Sequence, residues 1–236
     1  MAISVGTVET HDAGTGLSSA DVTISGSTVD AGSNRMVVVM AGKSSNASTA
    51  FTDVKINAVS CTSLKLVTDS THALEVWYML EADLPSAGTY DIVIDRAATH
   101  RLGAVIINLS GVDQTTPFDT ADEQVEPTAG LDLTVSSDAT QLVMDWFAGS
   151  TGDSNTVTVD GDQTERANFV GAAGAGSNST RIAAGTGVGS ASYAANLTWA
   201  GPGQLAHYAV PVNAAAAASG GGMQLVGGAG LVGSNG

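Results

Sequence analysis

Residues 54–67, VKINAVSCTSLKLV, align without a gap with residues 157–170, VTVDGDQTERANFV, at an offset of 103 residues. The same offset aligns residues 88–110, GTYDIVIDRAATHRLGAVIINLS, with residues 191–213, ASYAANLTWAGPGQLAHYAVPVN. An offset shared by two separate blocks predicts a diverged duplication of one β-rich unit. The coinciding positions include Val54 and Val157, Ile56 and Val159, Val67 and Val170, Tyr90 and Tyr193, Leu102 and Leu205, Ile107 and Val210, and Leu109 and Val212.

The dominant period of the apolar residues is two, which is typical of β-strands, and no amphipathic helix is predicted. Short segments rich in Val, Ile, Thr and aromatic residues alternate with Gly, Asn, Asp, Ser or Pro. This spacing favours an all-β fold, an antiparallel β-sandwich or jelly-roll built from two duplicated β-units. The predicted strands are Ile3–Glu9, Asp21–Ser25, Met36–Ala41, Val54–Ile56, Ser63–Val67, Leu74–Leu80, Tyr90–Asp95, Ala104–Leu109, Gln124–Glu126, Asp132–Ser136, Leu142–Phe147, Thr156–Val159, Glu165–Val170, Ser179–Ala183, Ala194–Trp199 and His207–Val212.

The predicted boundaries place a first sandwich unit at residues 1–117, a second at 118–213 and a Gly- and Ala-rich tail at 214–236. The strand Leu74–Leu80 is apolar almost throughout, so we expect it to be buried on both faces or to share an interface with the other unit. The tail holds too few apolar residues to form a core, and we interpret it as an assembly segment. Its predicted contact residues are Met223, Leu225, Val226, Leu231 and Val232.

The charge of the chain is −15 and is unevenly distributed. No Lys or Arg occurs between Arg101 and Arg166, an interval that contains many acidic residues, and no charged residue follows Arg181. We interpret these regions as an acidic part that faces solvent and a neutral part that is covered. Because the phosphate backbone is negative, the acidic balance argues against a nucleic-acid partner.

Conventional catalytic motifs are not found, and neither an enzymatic activity nor a cofactor is predicted. The single cysteine, Cys61, aligns with Thr164 and is interpreted as a packing or turn residue. The histidines lack the spacing of a shared metal site, and His207 is expected to be half-buried or at an interface. The four are His11, His72, His100 and His207.

Two groups of residues have a functional and a structural interpretation. Asp153, Asp160 and Asp162 are a weak candidate Ca²⁺ site because carboxylate oxygens bind Ca²⁺, although a solvated hairpin tip accounts for them more simply. The pair Asp160-Gly161, aligned with Asn57-Ala58, is a typical two-residue turn. Three tryptophans could stack on sugars, but their apolar surroundings favour positions in the core. They are Trp77, Trp146 and Trp199.

Three segments carry a resemblance to known proteins. They are SNR at 33–35 leading into MVVV at 36–39, VWYML at 76–80 and LSGVDQTTP at 109–117. Over residues 20 to 213, the chain resembles a diffuse group of β-sandwich proteins found among tailed-phage structural proteins and bacterial surface or secreted proteins. The group has no agreed catalytic residues, so the resemblance implies none here.

The first residues, MAISVGTVETHD, have neither a basic segment nor a long apolar run, so no export signal is predicted there. No run of eighteen apolar residues occurs, and no membrane partner is expected. These features favour the phage side of the resemblance: a virion protein that is a head decoration, a head fibre or a tail-associated protein. Its expected partners are copies of itself or major capsid or tail proteins.

Two alternative functions are kept. One is a carbohydrate-binding or host-recognition module, whose partner would be a host-surface glycan. The other is a subunit of a bacterial extracellular filament, in which the tail or the N-terminal strand completes the sheet of a neighbour.

Overall fold

The structure is a computed structural model that describes residues 2–12, 21–44, 51–68, 72–95, 101–126, 131–151, 157–159, 161–171, 179–199 and 205–217. These residues form β-strands, turns and bends, and no helix occurs among them.

Strands β1 to β9 make up the first half of the chain. They are β1 (Ser4–Asp12), β2 (Val22–Val29), β3 (Met36–Ser44), β4 (Asp53–Ile56), β5 (Val59–Ser60), β6 (Thr62–Thr68), β7 (His72–Leu80), β8 (Gly88–Asp95) and β9 (Arg101–Ser110). The second half comprises β10 (Asp122–Glu126), β11 (Leu131–Val135), β12 (Leu142–Thr151), β13 (Val157–Val159), β14 (Thr164–Gly171), β15 (Ser179–Val188), β16 (Tyr193–Trp199) and β17 (Leu205–Val212).

Each half contributes one large and one small antiparallel sheet. The first half has a large sheet in the order β1-β9-β3-β7-β6 and a small sheet in the order β2-β8-β4-β5. The second half has the orders β10-β17-β12-β15-β14 and β11-β16-β13. The two halves therefore follow the same strand order, with β5 as the strand that lacks a counterpart among the described residues.

The pairing register is also equivalent in the two large sheets. Met36 of β3 pairs with Leu109 and Leu80, and Leu142 of β12 pairs with Val212 and Val188. Met36 thus corresponds to Leu142, and any residue of one large sheet can be compared with its counterpart in the other.

The four sheets stack as layers, with the two large sheets in the middle. The core between them contains Met40 and Val76 from the first half and Trp146 and Val210 from the second. The opposite face of each large sheet packs on the small sheet of its own half, through one apolar cluster in the first half and two in the second. Internal strands such as β7 and β17 are consequently covered on both faces.

The contacts between the large sheets are reciprocal. Strand β7 packs against β12, and its counterpart β15 packs against β3, the counterpart of β12. In the same way β9 contacts β14, and their counterparts β17 and β6 contact each other. This is the pattern of an isologous interface, formed here between two halves of one chain.

Glycines let the large sheets approach closely at one end. A Cβ atom on Gly171 of β14 would lie 2.8 Å from the Cα of Gly103 in β9. Beside them, the side chain of Ile182 from β15 fits over Gly42 and Gly103, where added Cβ atoms would lie 3.0 and 2.6 Å from its Cδ1. Larger side chains at these glycines would force the sheets apart.

The segment between β9 and β10 joins the halves and is fixed by hydrogen bonds. The Gln114 side chain donates to the Arg35 carbonyl (3.2 Å) and accepts from the Glu81 amide (3.0 Å). The Asp113 carboxylate accepts from the amides of Thr115 and Thr116, and the Asp113 amide donates to the carbonyl of Asn213. The residues SGVDQTTP thus connect the start of β3, the end of β7 and the end of β17.

The predicted strands are all present, with differences at their ends. Leu74–Leu80 lies within β7, and the prediction that it is buried and adjoins the other half is confirmed. Asn57 and Ala58 have φ values of 50° and 65°, the positive values that a type I′ turn requires, which confirms that turn. Gly161 lies in a turn, but Asp160 is outside the described residues.

Candidate functional site

The described part of the uncharged C-terminal stretch is covered mainly by the chain itself. Every residue of β17 is buried, and β15 lies between β12 and β14 with its interior residues buried. Charged side chains would be costly in these strands, so the absence of charge from Ile182 to Val212 has a cause within the chain.

One uncharged surface remains where the halves meet. An apolar groove of about 400 Å³, here called the seam groove, opens between the start of the first half and the β12 and β15 ends of the second. Val188, at 68 % exposure, is the most exposed of the large hydrophobic residues described. The groove is lined by Ala2, Ile3, Ala139, Thr140, Gln141, Leu142 and Val188.

The described C-terminal residues run beside the seam groove. Gln141 in its wall donates to the Asn213 side chain (2.6 Å) and also to Asp119 (3.1 Å). The amide of Ala215 donates to the carbonyl of Gly111 (2.8 Å), and Gly111 lies against Ala2, another residue of the wall. The last described residues therefore lie next to the groove.

The predicted tail contacts lie outside the described residues. This applies to Met223, Leu225, Val226, Leu231 and Val232. Of the candidate Ca²⁺ ligands, Asp162 is exposed, whereas Asp153 and Asp160 also lie outside the described residues. Within the described part of the chain, no three His, Cys, Asp or Glu side chains converge as metal ligands would.

The interpretations of the tryptophans and the cysteine are confirmed. Trp77, Trp146 and Trp199 are at most 8 % exposed, so none presents a surface on which a sugar could stack. Cys61 is buried, and burial, followed by the charge of Asp53, raises the pKa of its thiol to about 12. The thiol is protonated at neutral pH and acts as a packing residue.

A buried ion pair lies inside the first sandwich. The Lys43 ammonium is 3.3 Å from the Glu75 carboxylate and 4.2 Å from the centre of the Phe51 ring. The amide of Phe51 also donates to Glu75, at 2.9 Å. Burial lowers the pKa of Lys43 and raises that of Glu75, and the attraction between the partners opposes both shifts. Because the pair is enclosed, it has no access to a substrate and serves the structure.

The second sandwich encloses a different polar cluster. Asp145 of β12 and His207 of β17 are at most 1 % exposed, and the His207 Nε2 atom is 3.5 Å from Asp145 Oδ2. The side-chain oxygen of Gln163 and the carboxylate of Asp145 both lie over Gly185. The Tyr193 hydroxyl lies over Gly187, and burial followed by the charges of Asp145 and Asp162 raises its pKa.

This cluster corrects two expectations. His207 is fully buried inside the second half instead of half-buried or at an interface, because β17 is an internal strand. Asp145 is buried although it belongs to the acidic interval expected to face solvent, whereas Asp119, Asp132 and Asp162 of that interval are exposed. The buried position of Asp145 could have been inferred from the sequence, because it is the single acid within the apolar strand LVMDWF.

Comparisons with family models, with curated proteins and with solved structures find no match to this chain. None of the described residues belongs to a helix that is long and apolar enough to cross a membrane.

Proposed function

We propose that this chain is a non-enzymatic structural protein of a tailed-phage virion, a head decoration, head-fibre or tail-associated protein. It binds neighbouring subunits, either copies of itself or major capsid or tail proteins, through its uncharged C-terminal region. The observation that carries the proposal is the seam groove, an uncharged apolar surface that Val188 of the C-terminal region lines and that the last described residues adjoin. An exposed apolar groove of this kind is typical of a protein interaction site.

We also infer that the two halves arose by duplication of one jelly-roll unit. The shared strand order, the equivalent register and the reciprocal contacts of the large sheets support a duplication. In the first half the order β1-β9-β3-β7 faces β2-β8-β4-β5, the arrangement expected of an eight-stranded jelly roll with β6 as an added edge strand. Jelly rolls occur in viral capsid proteins, and this analogy supports the virion assignment together with the resemblance of the SNR, VWYML and SGVDQTTP segments.

The N-terminal strand is a less favourable donor strand for the filament alternative. Residues of β1 from Ser4 to Asp12 already pair with β9 of the same chain, so β1 would have to leave its own sheet to complete another. The tail is then the segment left to act as a donor strand.

A single substitution in the seam groove tests the proposed function. Val188→Asp places a charge on the most exposed apolar side chain of the groove and is expected to lower the number of copies bound per virion at least tenfold. The matched control is Val59→Asp, which changes another exposed valine, on β5, away from the groove. Copies per purified particle are counted by quantitative mass spectrometry. Equal occupancy of both variants and the unmodified chain would count against the groove as a binding surface.

The neighbours of the gene give an independent test of the virion assignment. Genes for a capsid protein, a portal and a terminase beside it are expected. A neighbourhood of secretion or cell-surface genes would overturn the assignment in favour of a bacterial surface protein.

A further inference from the structure

A second groove lies on the outer face of the small sheet of the first half, far from the core between the large sheets. It encloses about 610 Å³ and is here called the outer groove. Asp91 and Val93 of β8 form its floor, because they alternate with the buried residues Ile92 and Ile94 and therefore point outward. Its volume falls within the range of about 300–1,000 Å³ that is usual for small-molecule sites.

The walls of the outer groove are fixed by the backbone. One wall is a bulge in β2 at Gly26, where φ is 74° and the space above the Cα atom is open. The other is the tight turn at Asn57 and Ala58, in which the Asn57 amide donates to the carbonyl of Asp91 at 3.0 Å. The groove is thus present without any rearrangement of the chain, and a ligand would not have to order it.

The polar groups of the outer groove combine donors with acceptors. The Lys55 ammonium is held by the carboxylates of Asp95 and Asp53, the latter at 3.3 Å, which fixes its position in the wall. Near the ammonium group lie the side-chain amide of Asn57, the hydroxyl of Thr89 and the carboxylate of Asp91. Sugar hydroxyls donate and accept hydrogen bonds, so they can use carboxylates, amides and ammonium groups together.

The outer groove also has an apolar part. Tyr90 belongs to the lining, but its side chain packs against the buried cluster that contains Ile92 and Ile94. Val93 and Ala58 supply the aliphatic surface of the groove. Small apolar side chains of this kind can contact the C–H face of a sugar ring.

The charge around the outer groove decides between ligand classes. Among the described residues of this face, Asp53, Asp91 and Asp95 outnumber the cation Lys55, so together they give the groove a negative charge. Phosphates, nucleic acids and acidic sugars would be repelled. We propose that the outer groove binds a neutral oligosaccharide, which gives this chain a glycan-binding site separate from its assembly surface.

The second half provides a natural comparison, because its equivalent positions carry different side chains. By the offset of 103 residues, Asp91 is replaced by Ala194, Lys55 by Thr158 and Val93 by Asn196. Positions 194 and 158 therefore carry neither the carboxylate of Asp91 nor the ammonium group of Lys55. A substitution at Thr158 is therefore a matched control for a substitution in the groove.

The proposal is tested by measuring the binding of the full chain to an array of immobilised neutral and acidic oligosaccharides. We expect binding to neutral glycans that Asp91→Ala weakens about tenfold, the loss expected for one charge-assisted hydrogen bond. Asn57→Gly keeps the positive φ of the turn but removes the side-chain amide, so this variant should also bind neutral glycans more weakly. Thr158→Ala should bind like the unmodified chain.

Several results would overturn the proposal. These are binding to no neutral glycan on the array, equal binding by Asp91→Ala, or a preference for acidic glycans. Thermal unfolding of each variant shows whether it is folded. Because virion occupancy is measured separately, the loss of glycan binding and the failure of the proposed assembly role are distinguishable.

Discussion

Asp145 and His207 show how single residues distinguish the two halves. At the equivalent positions the first half has Val39 and Ala104, and Trp77 occupies the place of Gly185. The first sandwich is therefore packed with apolar side chains where the second encloses an acid, an imidazole and a glycine. Burial of such groups is costly unless they interact with each other.

Replacing one member of this pair should destabilise the fold more than replacing both. We expect Asp145→Val alone to lower the free energy of unfolding by about 3 kcal/mol, because it removes the partner of the buried imidazole. Adding His207→Ala, which restores the residue type of the first half, should recover most of that loss. Urea unfolding of the unmodified chain, the two single variants and the double variant measures these differences. A double variant at least as unstable as the sum of the two single variants would show that the pair is not coupled.

At the scale of elements, alternation and turn residues predict the strands well but not their surroundings. Strand β5 was missed because two residues are too few for a periodic pattern. Strand β15 continues to Val188, five residues beyond its predicted end, because Gly185 and Gly187 do not form a turn; instead they make room for Asp145 and Tyr193. Since both faces of β3, β7 and β17 are apolar, their pattern could not show which face meets the other half.

Three carboxylates at or near the junction of the halves are expected to make the fold sensitive to acid. Backbone amides of Thr116 and then Thr115 lower the pKa of Asp113 below its ordinary value of 3.8. Hydrogen bonds from the Thr120 backbone and, to a smaller extent, from the Gln141 side chain lower the pKa of Asp119. Hydrogen bonds from Thr140 lower the pKa of Asp138. A carboxylate whose pKa is lower in the folded state contributes stability that is complete above about pH 4 and is lost as the pH falls through the folded pKa.

We therefore expect the midpoint of thermal unfolding to drop as the pH is lowered from 5 towards 2. Asp113→Asn, which cannot titrate, should flatten this dependence, and the midpoints of the two proteins should converge at the acid end. Calorimetry over a pH series measures the midpoints. A parallel decline in both proteins would mean that Asp113 does not contribute to the acid sensitivity.

On the scale of the whole molecule, the chain is a four-layer β-structure whose two halves are joined by their large sheets. That arrangement covers most of the described residues after Arg181 and leaves the seam groove as an exposed uncharged surface where the halves meet. Charge distribution alone predicted a covered region, but only the packing shows that the covering is mostly the chain itself. The groove was not predictable because its residues come from both halves and are far apart in sequence.

The central claim is that the uncharged C-terminal region attaches this protein to its neighbours. A chain that ends after Ala217 tests it, since it keeps the hydrogen bond of Ala215 to Gly111 and removes residues 218–236. The measurement is the number of copies per purified virion, compared with the full chain, after thermal unfolding has shown that both are equally stable. We predict that occupancy falls at least tenfold. Equal occupancy of a stable, shortened chain would contradict the claim.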